Sequence, residues 1–256
     1  MSALAAPQRP APDADLARLF GLTERLLPAL RGEQGVGANG AALPEPAALD
    51  ALCRHWRESY PEAGAHYWAL RCWGLLIWQP IYLCVIAAQL DERVPRLAGL
   101  RQPLQGGFPR GLSLPAHRPP RGRTLDERIA LAGDELRPLC AEGRTLLAPR
   151  VALHRAAAER LQAECVLGAL LLVHEQRPQD LTLEALPVLA QRWLARLDIA
   201  GGCGLLAYRA RDGTPRVALD RKVCCHHYRR HDGEKCSTCP LLPRPARLER
   251  LLAETD

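Results

Sequence analysis

The chain has 256 residues, 48% of them hydrophobic, which allows a sizeable core and excludes a wholly disordered protein. Its net charge of +6 comes from a basic complement in which only Lys222 and Lys235 are lysines. That charge falls short of the dense basic face of a nucleic-acid binder, so no nucleic-acid partner is expected.

The N-terminus MSALAAPQRPAPDADLARLF lacks a basic patch followed by an apolar run, so no secretory signal is expected and a cytoplasmic address is the default. Leu16, Leu19, Phe20, Leu26, Leu27 and Leu30 then recur at helical spacing. Residues 32–46 are glycine-rich, close on prolines and read as a loop. A second helix is expected from Ala47 to Ser59.

Pro61 opens a longer apolar helix reaching Leu90. The stretch from Trp73 to Leu90 approaches the ~20 residues of a membrane span. Gln79-Pro80 interrupts it, however, and no second such stretch exists. A buried core helix kinked at Pro80 is expected, with no transmembrane span. Trp68, Trp73, Trp78 and Tyr82 are then chiefly core packing.

Residues 101–123 are rich in proline and glycine, which suits a loop with one short strand. Thr124 to Glu127 matches a capping box and predicts a helix running to about Cys140. Further helices are expected from near Pro149 to His174, and from Thr182 to a stop at Gly201-Gly202. The texture then changes. Two short extended runs flank Asp212-Gly213, a hairpin signal, and the second leads directly to Cys224. An amphipathic helix carrying Leu248, Leu251 and Leu252 closes the chain.

Ten cysteines occur. Cys53, Cys72, Cys84, Cys140, Cys165 and Cys203 are scattered, most of them in apolar helical patterns where a free thiol behaves as a small hydrophobe. Cys224, Cys225, Cys236 and Cys239 are clustered. In a reducing compartment such a cluster points to metal before disulfides.

Zinc favours two C-x-x-C knuckles. Cys236 and Cys239 supply one, but the adjacent Cys224 and Cys225 do not supply a second. A [2Fe–2S] group spreads four thiolates over two irons, so neighbouring cysteines can serve different irons. Spacing therefore favours iron–sulfur, with zinc and a disulfide or inert reading as alternatives. Arg221, Lys222, Arg229, Arg230 and Lys235 lie around the cysteines. Cations there would stabilise an anionic cluster or receive an anionic partner. Arg221, at the strand end three residues before the first cysteine, is the best placed, whereas Arg229 and Arg230 read equally as a solvated loop. His226, His227 and His231 raise a Rieske-like set, but four cysteines already complete a shell, and the role of these histidines stays open.

The segment RKVCCHHYRR…CSTCP resembles the C-terminal motif of the FhuF-type ferric siderophore reductases. The cysteine pair is preceded by Arg221-Lys222 and followed by Tyr228. The aromatic stretch 67–80 and the helical body are more diffusely similar. The resemblance implies a [2Fe–2S] cluster held by Cys224, Cys225, Cys236 and Cys239, passing single electrons to siderophore-bound Fe(III), hydroxamate-type chelates among them. Lys222, Tyr228 and Arg229 join Arg221 as electrostatic or substrate contacts. No Rossmann or flavin motif occurs, so a separate donor such as a ferredoxin or a flavin reductase is expected.

The fold class expected is mainly α. A multi-helix, siderophore-binding body over residues 1–200 is followed over 201–256 by a small β-hairpin and a cysteine-rich iron–sulfur loop. Two other functions fit the same features: a zinc-stabilised helical interaction module, and a [2Fe–2S] electron-transfer or sensor protein without a siderophore site.

Overall fold

The computed structural model describes residues 11–35 and 41–254. Its scaffold follows from one unusually apolar helix. Helix α3 spans Gly64–Leu90 and is continuous across Pro80. Buried residues occur on every side of it, including Trp73, Ile77, Ile81 and Val85, so it can only be stable inside other elements. It is long and apolar enough to cross a membrane, but 72% of its most apolar stretch is buried within the protein.

Those surrounding elements are helices with one apolar stripe each. Helix α1 covers Ala14–Leu26 and begins at Asp13, whose side chain accepts the Leu16 amide. Helix α2 covers Pro46–Ser59, with Leu49, Leu52, Cys53 and Trp56 turned inward. The capping box at Thr124–Glu127 forms with both reciprocal bonds and starts α4, Leu125–Leu147. Helix α4 runs seven residues past the expected stop near Cys140, and through Pro138. Its buried stripe continues at Gly143 and Leu147, and Gly143 lies directly against Leu76 and Trp73 of α3. Tertiary packing there outweighs the proline.

Helix α5, Arg155–Gln176, lies along α3 and begins later than its expected start near Pro149. Helix α6, Leu186–Arg196, likewise begins after Thr182 and packs on α5 and α4. All of these share one core, reaching from Leu16 to Cys203.

Two stretches expected as loops contain strands. Residues Gly32–Gln34 (β1) and Ala42–Leu43 (β2) interrupt the first, part of which lies outside the described residues. The 101–123 region holds Gln102–Gln105 (β3), Phe108–Pro109 (β4) and Leu112–Leu114 (β5) where one strand was expected. β1 pairs in parallel with β5, and β2, β3 and β4 form a small antiparallel sheet. Strands this short, broken by proline and glycine, leave almost no periodic signal.

The hairpin of Cys203–Arg209 (β6) and Pro215–Arg221 (β7) is antiparallel, with Cys203 opposite Arg221. Leu206 and Ala218 on it meet Leu251 of the last helix, α7 (Arg244–Glu254), in a small second apolar cluster. The fold is thus mainly helical with small sheets, and the clustered cysteines come at its C-terminal end.

Candidate metal centre

β7 ends at Arg221, and the chain turns at once into the cysteine loop. Arg221 also points inward, to helix α5. Its Nη2 and Nε lie 2.6 and 2.8 Å from Glu164 Oε2, a carboxylate only 5% exposed. Burial pushes the Glu164 carboxyl above the ordinary carboxylate range, against the pull of Arg221. Desolvation alone would weaken the Arg221 charge, but Glu164, Cys225 and Cys236 outweigh it and hold the guanidinium firmly protonated. A forked donor suits this double duty, because one edge grips the carboxylate while Nη1 remains free.

That Nη1 is 3.3 Å from Cys236 Sγ and 3.9 Å from Cys225 Sγ. The other two sulfurs form their own pair, Cys224 Sγ to Cys239 Sγ at 3.8 Å. The second pair is buried, Cys225 is half-buried and Cys236 is exposed. Burial raises the Cys224 thiol to about 11. The backbone N–H of His226, 3.4 Å away, works the other way, and the neighbouring Cys239 adds to the rise. His226 adopts a left-handed conformation, φ 57°, to place that N–H.

A tetrahedral metal with bonds of about 2.3 Å to sulfur sets its ligands about 3.8 Å apart, the spacing of Cys224 and Cys239. Among the described residues, no three His, Cys, Asp or Glu side chains are placed to hold a single ion. Two cysteine pairs, one of them already at tetrahedral spacing, fit a group with two metal atoms better than a lone zinc. The His226 N–H and the Arg221 N–H are the donors a thiolate-ligated anion needs.

The excursion between Cys225 and Cys236 is tied to the helical body. Arg230 lies over the Tyr60 ring at 3.8 Å, donates to its hydroxyl at 2.6 Å and pairs with Asp232. The backbone and ring nitrogens of His231 reach Glu62 Oε1 at 2.9 and 3.0 Å. Gly233 closes the turn so tightly that a Cβ there would sit 2.1 Å from the His227 carbonyl oxygen. Arg230, which the sequence left as solvated as Arg229, is therefore a docking residue. Arg229 is exposed. Lys222 is exposed and pairs with Asp220, and Lys235 lies 5.7 Å over the Tyr228 ring. His226 stacks on His66, and His227 lies near Tyr67.

Sequence reasoning passed over Glu164, Tyr60, Glu62 and Arg71. Glu164 and Arg71 did leave a signal, since each is a lone charge in an otherwise apolar helical stretch. Arg71 lines a cavity of about 450 Å³ whose walls include Trp78, Phe108 and Leu161, and whose lining on the loop side is Arg221, Cys225 and His227.

A loop of this build defines an iron–sulfur protein of the [2Fe–2S] kind. Residues 221–241 match the family model of the FhuF 2Fe-2S C-terminal domain, and the four clustered cysteines fit its motif. Over this C-terminal segment the chain is similar to the FhuF-type proteins, a siderophore-iron reductase-like family. No solved structure matches the chain.

Proposed function

We propose that this protein is a cytoplasmic ferric siderophore reductase in which Cys224, Cys225, Cys236 and Cys239 hold the [2Fe–2S] group and residues 1–200 receive the substrate. The observation that carries the reading is the arrangement of four sulfurs in two pairs, one at 3.8 Å and the other bridged by the Arg221 guanidinium. When bound, the group supplies one electron at a time, which matches the one-electron step from Fe(III) to Fe(II). Oxygen donors such as hydroxamates hold Fe(III) far more strongly than Fe(II), so reduction of the substrate iron loosens the chelate and iron passes to other ligands.

The protein's own residues set the conditions for that step. Arg221 places positive charge against Cys225 and Cys236, which favours the reduced form and raises the potential. Glu164 fixes the arginine so that its Nη1 cannot swing to solvent. Cys224 and Cys239 anchor the buried side, while the exposed Cys236 stands where a ferredoxin or flavin-reductase donor can approach.

Anaerobically purified protein should be reddish-brown, contain iron and acid-labile sulfide, bleach with dithionite and give an EPR signal when reduced. Stoichiometric zinc in a colourless protein would overturn the reading. The reduced protein should also re-oxidise faster when ferric siderophores are added, with Fe(II) appearing in a chelator trap. No acceleration across hydroxamate, catecholate and carboxylate chelates would make it an electron carrier or sensor instead.

A further inference from the structure

The cavity between α3 and the cysteine loop contains a cation that no carboxylate among the described residues balances. Arg71 is the only Asp, Glu, Lys or Arg in the whole of α3. Its Nε is buried without a hydrogen-bond partner. No carboxylate among the described residues pairs with it, whereas Arg221 has Glu164, Arg230 has Asp232 and Arg150 has Asp50. The guanidinium lies over the faces of Trp56 at 4.4 Å and Phe108 at 5.2 Å. Those ring faces steady the cation but leave its in-plane Nε–H unsatisfied.

A desolvated cation without a counter-charge is expensive, and proteins keep such groups where an anion completes them. Arg221 cannot be the receiving group, because both edges of its fork are committed to Glu164 and to the sulfurs. Arg71 lines the same cavity with its Nε–H unpartnered and no carboxylate paired to it. The walls beside it, Trp78, Phe108 and Leu161, are apolar and suit a flat or compact group. The volume of about 450 Å³ fits one chelating arm of a siderophore and not a whole one.

We infer that this cavity binds one carboxylate or catecholate arm of an anionic ferric chelate, with Arg71 as the residue that selects for negative charge. The inference rests on the reductase reading and narrows it: anionic chelates are the preferred substrates, ahead of neutral or cationic hydroxamate complexes. A planar guanidinium is matched to the paired oxygens of either arm. Cys225 lines the same cavity, so the arm enters beside a cluster ligand.

Gallium(III) complexes test the site without electron transfer, because gallium keeps the size and charge of Fe(III) and is not reduced. Titration of the iron–sulfur-loaded protein with gallium(III) tris-catecholate, gallium(III) citrate and the cationic gallium(III)–desferrioxamine B should give at least tenfold tighter binding for the anionic complexes. Arg71→Met should weaken the anionic complexes at least tenfold and leave the cationic one unchanged, while Arg71→Lys should retain most of the preference. Leu161→Phe, which narrows the cavity and leaves the charge in place, should also weaken anionic binding. Equal affinity for all three complexes would overturn the inference. So would an Arg71→Met protein with a shifted reduction potential but unaltered anion affinity, which would make Arg71 a counter-charge for the cysteines alone. Tight gallium binding without reduction of the iron counterparts would retire the reductase reading and leave the site standing. Reduction with no preference for charge would do the reverse.

Discussion

Cys140 in the helical body and Cys239 in the loop are equally hidden, at 2% exposure each, yet they keep different company. Cys140 is surrounded by the packed side of α4, and burial pushes its thiol up to about 12, with Arg144 opposing only weakly. Cys165 and Cys84 are held above the ordinary thiol range in the same way. Cys239 instead has a second sulfur at 3.8 Å, and the neighbouring sulfurs meet the Arg221 guanidinium and the His226 backbone N–H. Burial by itself makes a cysteine an inert hydrophobe. Sulfur neighbours and hydrogen-bond donors suit it to hold a metal.

The largest expected effect tests that contrast directly. Cys239→Ser or Cys236→Ser should abolish the visible spectrum and the bound iron, whereas Cys140→Ala should keep both and cost about 1 kcal/mol in chemical denaturation. Loss of iron in Cys140→Ala, or a normal spectrum in Cys236→Ser, would break the distinction.

Next in size is the buried pair that joins body to loop. Glu164→Leu strands the Arg221 charge and should cost about 3 kcal/mol of stability. Arg221→Gln should lower the reduction potential measured by redox titration, because it removes a cation from beside two sulfurs, and Arg221→Lys should recover part of the shift. A potential indifferent to Arg221 would mean that the residue only holds the fold.

Smaller again is the clasp on the loop. Arg230→Ala removes one ring contact and one hydrogen bond to Tyr60, worth about 1 kcal/mol in thermal denaturation, and should raise amide exchange across residues 226–235. The smallest effect concerns acid. Burial opposes ionisation of Asp220, but Lys222 and Arg247 prevail and hold its carboxyl below the ordinary value. The folded state therefore binds the proton less readily than the unfolded chain. The contribution is complete above about pH 3.9 and fades as the pH drops through the lower folded value. Asp220→Asn should lower the plateau of the Tm profile near neutrality and leave its acid end nearly unchanged, so that the acid limb flattens.

Much of the helical scaffold was legible because its signals are local. The Thr124 capping box, the apolar run of α3 and the Asp212-Gly213 turn each act within a few residues, and each element forms close to where the sequence puts it, although α3 starts at Gly64 and passes through Pro80 as one continuous helix. The end of α4 was not legible, since Pro138 argues for a stop and only contact with Trp73 and Leu76 argues for continuation. The strands between residues 101 and 114 are too short to show a period. At the candidate centre the four cysteines stand out through spacing alone, but Glu164 lies 57 residues before Arg221 and Tyr60 lies 170 residues before Arg230. Nothing in a linear pattern joins such partners, because the helical body must form first to present them.

The grip of Tyr60 and Glu62 on Arg230 and His231 bears on how the protein is loaded. The fastening involves none of the four cysteines, so its contacts need no metal to form. Contacts of that kind lower the entropic cost of shaping the loop, so loading should begin from a partly ordered nest instead of a floppy tail.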